Sequence, residues 1–245
     1  MRRFFIDKRN INGTKAIIEG KEARHAVRVL RLGQGNTIML FDEDGSVYEG
    51  IITDIGKNTV AVDLVTTTYR HDIIQPDIIL AAAVLKSDKM DLVVQKCTEL
   101  GVTKIIPFFS SRTVPQWGSE AAQKKRSHWN NIAVAAVKQS GARTVPLVDM
   151  PIPFDAMLQK MSTTDAARFI MWENEKDVTL KHVLHNTARE RSIAVVVGPE
   201  GGFTEWEISA ARQCGFITTG FGPHVLRAET AAIAVLAIIY YVRVL

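Results

Sequence analysis

Apolar and polar positions alternate over short runs in the first quarter of the chain. Three such runs, at Thr37 to Phe41, Val47 to Ile52 and Thr59 to Leu64, are separated by polar turns rich in Gly, Asp and Asn. Alternation with a period of two is typical of strands with one buried face, and turns of this composition favour hairpins. A small β-barrel is the natural closure for these strands.

One helical pattern interrupts these strands, at about Gly20 to Leu32. On a helix with 3.6 residues per turn, Arg24, Arg28 and Arg31 form a single stripe beside the apolar positions. A stripe of like charges repels itself, so it is suited to an external phosphate backbone. A solvated face with scattered arginines is the alternative interpretation.

The surrounding charge favours a polyanionic partner. Residues 1–31 contain nine Lys or Arg against three acids, a local charge of +6 in a chain whose net charge is +4. Arg2 and Arg3 also lie beside Phe4 and Phe5, aromatic rings that could stack on bases. This combination favours RNA.

From residue 77 onward, buried-strand runs alternate with helical patterns. The strand-like runs are Asp77 to Val84, Ile105 to Phe109, Phe169 to Trp172, Ile193 to Val197 and Phe216 to Gly220. Alternation of this kind predicts an α/β domain with a mainly parallel sheet. The change of character between Thr66 and Pro76 sets the predicted domains at 1–70 and 75–245.

The remaining composition narrows the class of protein. The chain has 245 residues, of which 47% are hydrophobic and 23% charged, as in ordinary globular proteins. Its two cysteines lack metal-ligand spacing, which fits a reducing cytoplasm and no metal. The apolar run Ala231 to Val242 has 12 residues, whereas a membrane span needs about 20. It is therefore expected to be a buried helix or an oligomer interface, with no membrane role.

Two glycine-rich loops each follow a strand. The first, Gly198 to Gly202, precedes Thr204, which with Glu207 makes the capping-box pattern of a helix start. The second runs from Gly220 to Pro223 and leads into the apolar helix. Glycines let a ligand approach the backbone closely. In an α/β sheet such loops lie at the carboxyl ends of strands, so both are expected to close on one ligand.

The sequence of these loops resembles the RsmE family, the 16S ribosomal RNA uridine-N3 methyltransferases of the SPOUT superfamily. The likeness is carried by Gly198-Pro199-Glu200-Gly201-Gly202-Phe203 and by Gly222-Pro223-His224-Val225-Leu226-Arg227-Ala228-Glu229-Thr230-Ala231. Further short motifs similar to those of the family occur upstream, in the same order as in the family, at Lys86 to Met90, Gln95 to Val102, Ser111-Arg112 and Gln139 to Gly141. The likeness therefore covers essentially the whole chain.

The resemblance implies a fold, a reaction and partners. The fold is α/β, a C-terminal SPOUT domain with a mainly parallel sheet and a C-terminal trefoil knot, plus a small N-terminal PUA-like β-barrel that binds RNA. The reaction is methylation by S-adenosylmethionine of N3 of a uridine in 16S ribosomal RNA of the small ribosomal subunit, expected to be uridine 1498 in the usual rRNA numbering. The protein is expected to act as a homodimer.

The expected site residues fall into two binding groups. The cofactor-binding set is Met171, Trp172, Glu173, Gly198, Pro199, Glu200, Gly201, Gly202, Phe221, Gly222, Val225, Leu226, Arg227 and Thr230. The RNA-binding set is Arg2, Arg3, Arg24, Arg28, Arg31 and Lys86.

Uracil N3 carries a proton, so catalysis requires a base or cations that stabilise charge on the uracil oxygens. Arg227 is the first candidate for the cation, and Arg112, Arg143 and His224 are weaker ones. The base candidates are Glu229 and Glu200, although each could instead brace a loop. The family usually has Arg where this chain has His224, and Leu where it has Phe221, which puts a cationic role at position 224 in doubt.

Two other classes of function remain as alternatives. A nucleotide-binding oxidoreductase would share the strand, glycine loop and helix, but Gly198 to Gly202 lacks the Gly-x-Gly-x-x-Gly spacing. A non-catalytic RNA-binding ribosome-assembly factor with the same fold would use the N-terminal arginines equally well.

Overall fold

The computed structural model of the chain describes residues 2–68, 77–86, 88–114, 117–142, 144–188 and 192–243. The chain divides into two compact units, the first comprising Met1–Ile74 with Val137–Val145 and the second comprising Gln75–Ala136 with Pro146–Leu245. The sequence had placed 137–145 in the second domain. Lys138 instead forms an ion pair with Glu22 of the first unit. Arg143 and residues 69–76 lie outside the described residues.

The first unit is a curled six-stranded sheet. Its strands are β1 (Arg3–Phe5), β2 (Ile11–Asn12), β3 (Lys15–Glu19), β4 (Thr37–Phe41), β5 (Val47–Ile55) and β6 (Thr59–Thr68), in the order β1-β4-β5-β6-β3-β2. Only the β1–β4 pair is parallel. Alternate side chains point into one core, which includes Phe4, Ile18, Leu40 and Val60. The three predicted hairpin strands are confirmed.

The helical segment of this unit is shorter than the sequence predicts. Helix α1 (Gly20–Arg24) continues as one π-helical stretch, His25–Val29, in which the Leu30 N–H donates to the His25 carbonyl. The wider π turn changes the angular spacing of the side chains. Arg31 lies beyond the helix with φ of 54°, so the predicted three-arginine helical stripe is wrong. Arg24 and Arg28 remain on the helical segment, both exposed.

Phe4 also departs from expectation. Its ring is 1% exposed and belongs to the core, while Phe5 is half-buried and packs edge-on against Phe41 at 5.7 Å. Because β1 has one buried face, Phe4 is turned inward and is not available to stack on a base.

The second unit is a seven-stranded parallel sheet with helices between its strands. The strands are β7 (Ile78–Ala83), β8 (Lys104–Phe109), β9 (Leu147–Val148), β10 (Ile152–Pro153), β11 (Ala166–Met171), β12 (Ser192–Val197) and β13 (Ile217–Thr219), in the order β10-β8-β7-β12-β11-β13 with β9 beside β8. The helices are α2 (Lys89–Glu99), α3 (Ser119–Ser140, whose end joins the first unit), α4 (Phe154–Ser162), α5 (Leu180–His185), α6 (Glu205–Gln213) and α7 (Ala228–Arg243). The predicted α/β fold is confirmed.

The apolar run near the C-terminus forms α7, which packs on α2 and α5. Val235 and Ile239 are fully buried, whereas Tyr241 is 72% exposed and Ile238 and Val242 are also exposed. One face of this helix is therefore core and the other remains apolar at the surface. Among the described residues, no helix combines the length and apolarity needed to cross a membrane.

Candidate functional site

Three loops that follow three adjacent parallel strands enclose one cavity. Strands β12, β11 and β13 are neighbours in the sheet, so their carboxyl ends lie side by side. The loops after them begin at Gly198, Trp172 and Gly220 and line a cavity of about 470 Å³. The two glycine loops foreseen from the sequence do close on a common space, and the β11 loop stands between them. This cavity is called the glycine-loop cavity below.

Most residues expected to bind a cofactor line this cavity. They are Met171, Trp172, Glu173, Gly198, Pro199, Glu200, Gly201, Gly202, Phe221, Gly222, Val225, Leu226 and Arg227. Thr230 is the exception, because it is exposed on the first turn of α7 and does not line the cavity. The lining also includes residues outside the expected cofactor-binding set: Lys89, Val197, Phe203, Gly220, His224, Ala228 and Ala231.

The glycines of the two loops differ in what a side chain at each position would meet. A Cβ at Gly198 would lie 2.9 Å from the Phe203 ring, and one at Gly202, where φ is 67°, would collide with the Glu173 carboxylate. Gly222 has φ of 114° and nothing within 4 Å of the place a Cβ would take. The first loop is thus packed tightly against Phe203 and Glu173, while Gly222 leaves its backbone open at the cavity.

Gly220 is held between the two arms of the β11 loop. Its N–H donates to the Val178 carbonyl at 3.0 Å, and its own carbonyl accepts the Leu180 N–H at 3.2 Å. The Trp172 N–H donates to the Thr219 carbonyl at 3.0 Å, and a Cβ at Gly220 would collide with the Glu175 carbonyl oxygen. The end of β13 therefore fits only without a side chain. The trefoil knot implied by the resemblance stays a prediction.

A polar network fixes the β11 loop. The Glu175 carboxylate accepts hydrogen bonds from the Thr218 hydroxyl at 2.7 Å and from the backbone N–H groups of Asp177 and Val178. Led by the Thr218 contact, these bonds lower the pKa of Glu175. Arg212 contacts the same carboxylate and lies over the Trp172 ring at 5.4 Å. The wall formed by Trp172 is therefore held from behind.

Lys89, the first residue of α2, joins two segments at the cavity wall. Its ammonium lies 3.1 Å from a Glu200 oxygen in the first glycine loop and 3.4 Å from a Glu229 oxygen at the start of α7. Burial by itself would raise the pKa of Glu200. Hydrogen bonds from its own backbone, from Lys89 and from the Lys86 amide outweigh burial, so the pKa is lowered. Both carboxylates contact one ammonium, an arrangement that fits the bracing role, and the catalytic role of Glu229 stays a prediction.

Helix α6 ties another strand end to the first glycine loop. The predicted capping box is confirmed, since the Thr204 hydroxyl accepts the Glu207 N–H and Glu207 accepts the Thr204 N–H at 2.8 Å. The other Glu207 oxygen accepts the Ser111 N–H, in the loop after β8. In that loop Arg112 donates to the Gly201 carbonyl at 2.7 Å and does not line the cavity. Arg112 thus contacts the glycine loop from outside.

The remaining cations lie in different places. Arg227 and His224 line the cavity and are exposed, with Val225 beside them at 78% exposure. In the first unit Arg2 is exposed, whereas Arg3 is half-buried with its guanidinium 5.1 Å from the Phe41 ring centre.

Lys86 is exposed just past the end of β7. Its side chain faces a second cavity rather than the glycine-loop cavity. Across the described ranges, no three His, Cys, Asp or Glu side chains come together as metal ligands.

Comparison with known proteins covers both parts of the chain. Residues 74–240 match the model of an RNA methyltransferase domain, and residues 18–65 match that of an RNA methyltransferase PUA domain. Ribosomal RNA small subunit methyltransferase E of Bacillus subtilis is 31% identical, over 98% of this chain and 96% of that protein.

Two solved structures share the fold. One is a ribosomal RNA small subunit methyltransferase E from Neisseria gonorrhoeae bound to S-adenosyl methionine, with a TM-score of 0.85 and 31% identity over 98% of this chain and 97% of the other. The other is a methyltransferase of Legionella pneumophila in complex with the cofactor SAM, with a TM-score of 0.86 and 28% identity over 98% and 96%. This chain belongs to the ribosomal RNA small subunit methyltransferase E family.

Proposed function

We propose that this protein methylates N3 of a uridine in 16S ribosomal RNA, with S-adenosylmethionine as methyl donor and uridine 1498 in the usual numbering as the target. The observation that carries the proposal is the glycine-loop cavity, which is lined by the loops after three adjacent strands. The chain that forms it also matches an RNA methyltransferase domain. The solved relatives with bound S-adenosylmethionine support the choice of donor.

The residues present fit this cofactor. The cavity, at about 470 Å³, lies in the size range of small-molecule sites, roughly 300–1,000 Å³. The Trp172 indole N–H, at the cavity wall, is buried and has no hydrogen-bond partner among the described residues. A buried donor without a partner is costly, so a ligand acceptor at this place would satisfy it. Backbone groups of the glycine loops and the apolar Met171 and Leu226 would hold the rest.

S-adenosylmethionine supplies an electrophilic methyl group on a sulfonium. The chain contributes position and charge: two reactants held in line lose much of their entropic barrier. Arg227, exposed at the cavity, is placed to donate to a uracil oxygen and so to stabilise the negative charge that appears when the N3 proton leaves. Glu200 and Glu229 brace Lys89 in this proposal, and Arg112 supports the Gly201 backbone.

The first unit would bind the RNA backbone. The exposed arginines there are Arg2, Arg24, Arg28 and Arg31. Arg3 is half-buried, and its guanidinium packs on the Phe41 ring. A homodimer would cover the exposed apolar face of α7, which includes Ile238, Tyr241 and Val242. Burial of such side chains in an interface is favourable.

Methyl transfer from labelled S-adenosylmethionine to small ribosomal subunits, followed by mass analysis of the nucleosides, tests the proposal. We expect N3-methyluridine with the wild type. We expect a loss of at least tenfold in kcat with Arg227→Met, with cofactor affinity by calorimetry changed less. Binding of RNA without any binding of the cofactor would instead identify a non-catalytic assembly factor.

A further inference from the structure

A second cavity lies beside the glycine-loop cavity. It has a volume of about 320 Å³, and we call it the tryptophan cavity. Met90 and Trp129, both 1% exposed, form part of its lining together with the half-buried Trp117 and Lys125 and the exposed Lys86. The two cavities are neighbours along the chain, because Lys86 and Met90 line the one and Lys89 lines the other.

The aromatic wall of this cavity is fixed. Trp129 donates its indole N–H to Asp91 at 3.0 Å. The Trp117 ring packs against Trp129 and against Phe109, each at 5.8 Å between ring centres. Rings held this way offer a preformed apolar surface at low entropic cost.

The cations beside this wall have no counter-ion among the residues that the structure describes. Neither the Lys86 nor the Lys125 ammonium makes an ion pair or hydrogen bond with any side chain that the structure describes, although Lys125 lies 5.7 Å from the Trp117 ring centre. The neighbouring Lys124, by contrast, is paired with Glu120. Two cations at an aromatic pocket, with no described carboxylate paired to either, match a ligand with a flat ring and an anionic group.

We propose that the tryptophan cavity binds one nucleotide of the RNA substrate, adjacent to the nucleotide that is methylated. Its base lies on Trp117, and Lys86 and Lys125 contact its phosphate groups. This inference rests on the proposed function, because the target base itself must reach the glycine-loop cavity. Base–aromatic stacking with cationic contacts to the backbone is how proteins hold single-stranded RNA.

Direct binding of a 16S ribosomal RNA fragment to the full chain, without cofactor, tests the proposal independently of methyl transfer. We expect Trp117→Ala to weaken binding about tenfold, and Trp117→Phe to weaken it less. We expect Lys86→Gln with Lys125→Gln to make the slope of log affinity against log salt shallower by about 0.7 to 1.4. Lys124→Gln is the matched control and should leave the slope near that of the wild type.

Photo-crosslinking with 4-thiouridine in the same fragment supplies a second readout. We expect an adduct on the peptide that carries Trp117 or Lys125. Unchanged RNA affinity in the Trp117 and lysine variants overturns the proposal, even if the wild type methylates RNA normally. A parallel loss of S-adenosylmethionine affinity overturns it as well, since the cavity would then serve the cofactor site. Loss of activity on assembled subunits alone, with normal binding of the RNA fragment, would assign the cavity to a ribosomal protein.

Discussion

The two units of this chain differ in how firmly they place the residues that sequence motifs single out. In the second unit the glycine loops are fixed by backbone contacts, with Gly220 bonded on both sides and Gly198 packed against Phe203. In the first unit the arginines extend from a short helical segment into solvent. A glycine motif predicts a loop reliably, because the surrounding structure leaves no room for a side chain. A stripe of side chains is predicted correctly only if the helix keeps 3.6 residues per turn.

The largest effect is expected from Gly220→Ala. The new Cβ would collide with the Glu175 carbonyl oxygen, and the backbone on both sides is hydrogen-bonded and cannot yield. We expect a loss of about 3 kcal/mol or more in the free energy of unfolding, measured with urea, and loss of cofactor binding. Gly118→Ala is the control, because its Cβ would meet nothing within 4 Å. Equal stability of the two variants would show that the β13 end is not tightly enclosed.

The next prediction is that the first unit binds RNA and the second binds the cofactor. The double variant Arg24→Gln, Arg28→Gln tests it. Removing two exposed cations should weaken RNA binding about tenfold and leave cofactor affinity unchanged, since neither residue lies at the glycine-loop cavity. Lys8→Gln, at a lysine already paired with Asp44 in the same unit, serves as the control. A similar loss in both variants would point to net charge rather than to these arginines.

A smaller effect is expected from Lys89→Met, which removes the ammonium between Glu200 and Glu229. Cofactor affinity should fall about fivefold at pH 7, because the first glycine loop and α7 lose their common partner. Lys96→Met, which removes an ion pair to Glu99 within α2, is the matched control. Equal cofactor affinity in the two variants would argue against the brace.

The effect of Lys89→Met on stability should depend on pH. The Glu200 pKa is lowered from its ordinary value of 4.5, so its stabilising contribution is present above that pH and is lost as the pH falls through the lowered pKa. The stability difference between wild type and Lys89→Met should therefore shrink below about pH 4.5, measured by thermal unfolding. A difference that stays constant down to pH 3 would contradict the ionic brace.

The smallest effect concerns the end of the helical segment. Arg31 has φ of 54°, a conformation that glycine adopts freely, so Arg31→Gly should leave the free energy of unfolding within about 0.5 kcal/mol of the wild type. Arg24 lies inside α1, where glycine should cost about 1 kcal/mol. Urea unfolding of the two variants compares one substitution in two backbone conformations. An equal loss of stability at both positions would indicate that Arg31 is also helical, as the sequence predicts.

Much of the second unit could be predicted because its signals are local. The β-branched run before Gly198 predicted a buried strand, and the Thr204 and Glu207 pair predicted a helix start with its capping box. Most of the cavity lining followed from the resemblance of the loops. Thr230 does not line the cavity, because it is exposed on the first turn of α7, and its role in cofactor binding stays a prediction. Lys89 was not selected as a site residue, since its two partners are more than a hundred positions away.

The sequence by itself predicted the three hairpin strands, five strands of the parallel sheet, the two glycine loops and the family to which the chain belongs. Only the tertiary structure decided that Phe4 is core, that the helical segment widens into a π turn before Arg31, and that Lys86 and Lys125 line one cavity with two tryptophans. The physical reason is range. Backbone preferences act over a few residues, whereas burial, ion pairing and cavity walls depend on contacts between segments far apart in the chain.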